Sequence, residues 1–395
     1  MIDTSGLGFY DVDGQIFISK NLAYTESIKK SKPIKYNYND DILGKYDWTK
    51  EPEPEVDLRE FYRRRAQSIR DNYDYVVLQY SGGPDSQNVL DTFLENNIKL
   101  DEIVNFNSYE KTQKIINTTH NADYVYNVKP TIENIFKKYG NEIKINIIDE
   151  IEMTKKVWSE YNKLDYYELL FNSITFPSVW VMRPSIWVKY IKHIRDKILN
   201  GDRVCVILGT DKTMLRVDRK KNLFYTNFSD ILSCDIYNLS LYDNLLQGHN
   251  IVEFFYHTPK SPDLAIKQAH VLKNYIEKNN DKNCFEEFKK YDDTGFRPSF
   301  VCMSKKIPAS NLKYEYYHKI VYPSWKTNIV TPKPIYLGNR SMDCWWVENL
   351  PKEDKLVWTN GIEKYQQMFN QFIKKNGKDF SSLPMCFSQS YYLEK

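Results

Sequence analysis

The sequence predicts an α/β fold: a parallel sheet with helices on both faces, preceded by a small β-rich extension and followed by a mixed α+β region. Three observations predict it. Residues 75–80 (Tyr-Val-Val-Leu-Gln-Tyr) are rich in β-branched and aromatic side chains, the composition of a buried parallel strand, and the run stops at Ser81-Gly82-Gly83. Asp85, Ser86, Val89, Leu90, Phe93 and Leu94 then fall at helical spacing, so a glycine loop feeds a helix N-terminus. Further short apolar runs at 102–106, 143–148 and 204–208 alternate with helical segments at 131–139 (ended by Gly140), 150–161 and 185–199 (ended by Gly201). Strands alternating with helices pack as a parallel sheet whose ligands bind at the strand C-terminal ends.

In chain order, residues 1–56 read as an aromatic extension. Runs at 9–12 and 15–18 flank Asp13-Gly14, a hairpin turn signal, and Ile34, Tyr36 and Tyr38 alternate with Lys35 and Asn37 as in a half-buried strand. Glu51-Pro52-Glu53-Pro54-Glu55 is a stiff acidic connector that places a boundary near 56. Asp57 with Glu60 makes a capping-box pattern, opening a helix with Leu58, Phe61, Ala66 and Ile69 on one face. Arg59, Arg63, Arg64, Arg65 and Arg70 surround that face and are expected to be solvated. An α/β unit over 57–215 follows, then a mixed region over 216–395. In that region 214–217 and 223–228 read as a hairpin around Lys220-Lys221-Asn222, Ser261-Pro262 opens a helix to about 278, and Ile362, Tyr365, Phe369, Phe372 and Ile373 mark an amphipathic helix ended by Gly377.

Composition narrows the function. A net charge of +3 over 395 residues, with both signs mixed, gives no basic footprint, so nucleic acid is possible but not indicated. The start of the chain lacks a basic region followed by an apolar run, and no stretch approaches a membrane span, so a soluble protein in the cytoplasm is expected. The six cysteines (205, 234, 284, 302, 344, 386) form no Cys-x-x-Cys pair, which supports neither a disulfide framework nor a local zinc or iron–sulfur site. An oligomer is possible. The high Tyr, Asn, Lys and Ile content fits an AT-rich genome and resembles the proteins of large tailed bacteriophages, for which the compartment would be the host cytoplasm.

The loop carries the chemistry. Two glycines let a phosphate approach the backbone, while Ser81 and Ser86 hydroxyls and the loop N–H groups can donate to its oxygens. Ser81-Gly82-Gly83-Pro84-Asp85-Ser86, after an apolar strand and before an amphipathic helix, resembles the pyrophosphate loop (Ser-Gly-Gly-x-Asp-Ser) of the N-type ATP pyrophosphatase superfamily. Asparagine, NAD and GMP synthetases, tRNA-lysidine synthetase and phosphoadenylyl-sulfate reductases belong to it. The resemblance covers roughly residues 58–215 and implies a HUP-type, Rossmann-like fold that binds ATP and Mg2+.

By the same resemblance, Ser81, Gly82, Gly83, Asp85 and Ser86 hold the phosphates, and Phe106 and Asn107, in the stretch Asn105 to Ser108 after the second strand, hold adenine and ribose. Gly209-Thr210-Asp211-Lys212 after the fourth strand is similar to the turns that the superfamily places beside the phosphates; Asp211 and Lys212 join Asp85 as catalytic residues, with Asp85 and Asp211 as magnesium ligands. Asp149-Glu150 reads only as a helix start. Between the third and fourth strands, the apolar, proline-broken stretch 173–184 offers Arg183 as a contact to the acceptor substrate.

The expected function is an ATP-dependent, AMP-forming ligase, an amidotransferase-like synthetase. It adenylylates a small-molecule or macromolecular acceptor with release of pyrophosphate, before attack by an amine or ammonia. Ile2 stands where glutamine-dependent asparagine synthetases have their cysteine nucleophile, so no attached glutaminase is expected. Two alternatives stay open. One is a phosphoadenylyl-sulfate reductase-like enzyme using Cys386, whose setting Pro-Met-Cys-Phe-Ser lacks the family's cysteine motif; the other is a non-catalytic nucleotide-binding or phage structural protein.

Overall fold

The computed structural model describes residues 8–46, 48, 53–111, 124–164, 187–209, 212–213, 215–218, 220–221, 223–230, 251–278, 321–322, 350–356, 360, 367 and 386–393. Strands β1 (Phe9–Val12), β2 (Gln15–Phe17) and β3 (Lys35–Asn37) form a three-stranded antiparallel sheet in the order β2-β1-β3. Asp13 (φ 55) and Gly14 (φ 84) close its hairpin, the left-handed pair that a two-residue turn requires. Helix α1 (Lys20–Lys30) is capped by the Ser19 hydroxyl, and a short α2 (Asp40–Leu43) follows.

Helix α3 (Leu58–Asn72) begins where the Asp57 carboxylate accepts from the Glu60 N–H at 3.0 Å. Beyond it lie β4 (Tyr75–Gln79), α4 (Pro84–Glu95), β5 (Glu102–Asn107), a π-helical turn (Tyr124–Val128), α5 (Lys129–Tyr139), β6 (Lys144–Asp149), α6 (Glu150–Leu164), α7 (Lys192–Leu199) and β7 (Val204–Leu208). The helix expected over 185–199 is divided, because Ile191 is extended (φ −94, ψ 99) between a 3-10 turn and α7. Then come β8 (Leu215–Asp218), β9 (Leu223–Thr226), β10 (Val252–Phe254), α8 (Pro262–Lys278) and β11 (Tyr391–Tyr392).

Five of these strands form one parallel sheet in the order β10-β7-β4-β5-β6. Val76, Val77 and Leu78 of β4, Ile103 and Val104 of β5, and Val206 and Ile207 of β7 are consecutive and buried. Alternate strand residues face opposite sides, so both faces of the sheet are covered, as in an α/β fold. The chain runs outward from β4 to β6, then returns to β7 on the other flank. Strand order therefore reverses between β4 and β7, the place where open α/β sheets bind ligands. Register pairs Tyr75 with Val204 and Gln79 with Leu208, which brings the two carboxyl ends level.

The fifth strand, β10, lies beyond the boundary that the sequence places at 215; that boundary does not close the sheet. Its sequence, Val-Glu-Phe, is short and carries a charge, which hid it. Glu253 is buried because Arg65 of α3 reaches it at 2.6 Å, so Arg65 is not solvated as expected. The stretch before 57 also packs onto residues after 215. The Tyr10 hydroxyl donates to Asp230 at 2.9 Å, Lys20 lies 2.7 Å from the same carboxylate, and the Tyr38 hydroxyl donates to the His257 carbonyl at 2.7 Å. One hydrophobic core runs through all three stretches, from Tyr10 through Val89 to Phe255. The remaining sheet, β11-β9-β8, is antiparallel and ties residues 391–392 to the hairpin expected at 214–228. The helix expected over 362–373 lies, except for residue 367, outside the described residues.

Candidate functional site

The loop after β4 is braced by its own two serines. Gly82 has φ +78, a left-handed conformation that glycine adopts at little cost. The Ser86 hydroxyl accepts from the Ser81 N–H at 3.2 Å and donates to the Gly83 carbonyl at 3.1 Å, while Ser81 Oγ accepts from the Gly83 N–H at 3.3 Å. Helix α4 then begins with Pro84 in its first turn and Gly83 as N-cap, with no side chain capping it. Its first intrahelical bond runs from Gln87 N–H to the Gly83 carbonyl at 2.9 Å. The N–H groups of Asp85 and Ser86 lie in the first turn, at the helix's positive end, an arrangement suited to an anion. From the turn at 124–128, the Asn127 side-chain amide donates to the Gly82 carbonyl at 3.0 Å and fixes the loop's outer arm.

The turn after β7 meets this loop directly. A methyl group on Gly209 would lie 3.0 Å from the Asp85 carbonyl oxygen and 3.0 Å from Ser86 N and Cα, so only glycine lets the two backbones approach this closely. Three residues on, the Lys212 ammonium donates to Asp85 Oδ1 at 2.5 Å. The lysine side chain is 9% exposed and the aspartate 25%, so the pair is partly shielded from water. Tyr322 donates its hydroxyl to the same Oδ1, and its ring lies 5.5 Å from Lys212 Nζ. The Tyr256 hydroxyl donates to the Asp85 carbonyl at 2.8 Å and accepts from the Asn88 amide at 2.9 Å. Burial first, and then the Asp85 carboxylate, pushes the Tyr322 phenol well above its ordinary range. Tyr322 therefore remains a protonated donor.

The end of β5 holds itself in place. Asn105 donates to the Tyr80 carbonyl at 2.8 Å; the Asn107 amide donates to Asn105 Oδ1 at 3.0 Å, and its oxygen accepts from Tyr109 N–H at 3.1 Å. Both ends of the Asn107 amide are engaged, so a nucleotide contact here would use backbone groups. Phe106 packs its ring 5.4 Å from Trp187, whose indole N–H donates to Gln79 Oε1 at 3.1 Å. Asp149 accepts from Ile151 N–H at 2.9 Å and Glu152 N–H at 3.2 Å, the helix start that the sequence implies.

The fold thus gathers Ser81, Gly82, Gly83, Asp85, Ser86, Gly209 and Lys212 at the strand reversal, with Phe106 and Asn107 one strand away. Thr210, Asp211 and Arg183 lie outside the described residues. Among the described residues no three His, Cys, Asp or Glu side chains converge as a metal site, and the carboxylate within the loop, Asp85, already balances Lys212. Burial first, then Asp230, pushes the Cys386 thiol up to about 12, far from the activated thiolate that a reductase mechanism needs. Sequence reasoning missed Tyr256, Tyr322 and Asn127. With 31 tyrosines in the chain, no local pattern singles out the two that reach Asp85.

No protein-family model and no curated protein matches the chain. Among the described residues, no helix is long and apolar enough to cross a membrane.

Proposed function

We propose that the chain is an ATP-dependent, AMP-forming ligase built on a HUP-type, Rossmann-like sheet. The observation that carries the reading is the meeting of two turns at the strand reversal: a serine–glycine loop opening α4, and a glycine–lysine turn whose Lys212 pairs with Asp85. Walker-type loops end in Gly-Lys-Ser/Thr, and dinucleotide loops read Gly-x-Gly-x-x-Gly; this loop has neither form.

The residues act by placement and by charge. Loop N–H groups and the start of α4 hold the β- and γ-phosphates, which leaves the α-phosphorus exposed to an acceptor oxygen. Attack there breaks the bond to the β-phosphate oxygen and releases pyrophosphate, and Lys212 moves from Asp85 to the developing charge. Asp85 and Asp211 are the residues that would hold magnesium, which when bound would supply further charge neutralisation. Ammonia or an amine then displaces AMP from the adenylylated acceptor. Arg183 is assigned to the acceptor, the backbone around Phe106 and Asn107 to adenine and ribose, and the cytoplasm is the proposed compartment.

Competition binding tests this reading. Pyrophosphate should displace a fluorescent ATP analogue far better than AMP does, because the loop grips the polyphosphate end. Equal displacement by AMP and pyrophosphate, or failure of the analogue to bind, would refute it.

A further inference from the structure

We infer that Tyr256 and Tyr322, from the second half of the chain, are positioning residues for the phosphate loop and act through Asp85. The inference rests on the reading of the loop as a polyphosphate site. Two phenols fix Asp85 at both ends of the residue: Tyr256 donates to its carbonyl at 2.8 Å, and Tyr322 donates to Oδ1 of its side chain. The first bond sets the path of the backbone where α4 begins, and so the direction of its first-turn N–H groups. The second sets the carboxylate, and with it Lys212, which the Tyr322 ring also flanks.

Both phenols are themselves held. Tyr256 accepts from Asn88 one turn along α4. The segment carrying Tyr322 is pinned by the Tyr62 hydroxyl, which donates to the Val321 carbonyl at 2.6 Å and accepts from Gln268 of α8 at 3.1 Å. Gln268 in turn accepts from the Thr213 N–H at 3.1 Å, beside Lys212. One buried network therefore joins α3, α8, the turn after β7 and the 321–322 segment around a single loop carboxylate. Core packing alone needs the rings and not the hydroxyls, whereas the hydroxyls of Tyr62, Tyr256 and Tyr322 make five hydrogen bonds to the loop or its partners. A buried donor directed at a carboxylate orients it more firmly than a neutral contact does.

Removing one oxygen at a time tests the inference. Calorimetric titration with ATP and magnesium compares wild type, Tyr322→Phe, Tyr256→Phe, Asp85→Asn and the Tyr322→Phe/Asp85→Asn double variant, with thermal unfolding recorded for each. Each tyrosine variant should bind ATP and pyrophosphate about tenfold more weakly, the loss expected for one hydrogen bond of this kind. AMP affinity should be unchanged. In the Asp85→Asn background, Tyr322→Phe should cost clearly less than in wild type, because the amide oxygen that remains accepts only a weaker, uncharged hydrogen bond. Wild-type affinity in both tyrosine variants, or an equal loss with and without the Asp85 carboxylate, would overturn the inference while the nucleotide reading stands. If Tyr322→Phe does not fold, Tyr256→Phe decides, since unchanged affinity there also overturns it. A wild type that binds no ATP overturns the nucleotide reading and this inference together.

Discussion

Lys212 and Asp85, 127 residues apart, form an ion pair at 2.5 Å across the gap between the turn after β7 and the start of α4. The pair ties the two turns together at the strand reversal and sets opposite charges side by side there. Because the lysine is nearly buried, removing either partner alone strands the other.

Asp85→Ala should therefore lose more than activity. The substitution leaves the Lys212 ammonium without its carboxylate, and a stability loss of about 1–3 kcal/mol is expected. Chemical denaturation measures it. Asp85→Asn keeps a hydrogen-bond acceptor and should lose less stability while still abolishing AMP formation.

Lys212→Gln separates the lysine's two roles. ATP affinity should fall about tenfold or more as a phosphate counter-charge is lost, while affinity for magnesium without nucleotide should rise, since the cation no longer competes with the ammonium for Asp85. Calorimetry with each ligand reads both signs, and a fall in both affinities would argue against exchange at Asp85.

Gly209→Ala should disturb the loop with little effect on the core. Its methyl would press on three backbone atoms of Asp85 and Ser86 at 3.0 Å, so the two turns must part. A loss of about 1–3 kcal/mol in stability is expected, together with weakened ATP binding.

Acid stability should depend on Glu253. Burial pushes this carboxyl up, but Arg65 and Lys260 outweigh burial and hold it below the usual range. A depressed folded-state value gives stability that is complete above the unfolded value and is lost as pH falls through the folded one. Melting temperature should thus decline as pH drops below about 4. Glu253→Gln should lose about 3 kcal/mol at pH 7 and show a flatter acid limb.

Cys386 should be inert. With its thiol pushed up to about 12, iodoacetamide at pH 7.5 should label it far more slowly than a free thiol, and Cys386→Ser should keep ATP turnover.

Much of the sheet is legible because its central strands are continuous apolar runs and its turns carry glycine. Residues 75–79, 102–107, 144–149 and 204–208 stand within one or two positions of their expected bounds. The loop between β4 and α4 is legible for the same local reason, a serine–glycine run between a strand and a helix. What is hidden depends on partners distant in sequence. β10 buries its charge because Arg65, 188 residues earlier, and Lys260 both pair with Glu253. Tyr322 reaches Asp85 from 237 residues away, and no local periodicity encodes that approach.

The measurement closest to the central claim follows the label of α-labelled ATP. Wild type and Asp85→Asn are incubated with magnesium, ammonia and pools of amino acids, carboxylates, tRNA and DNA. The account predicts labelled AMP with equimolar pyrophosphate from wild type in one pool, and neither from the variant. Labelled ADP, AMP formed equally by Asp85→Asn, or no AMP in any pool would contradict it.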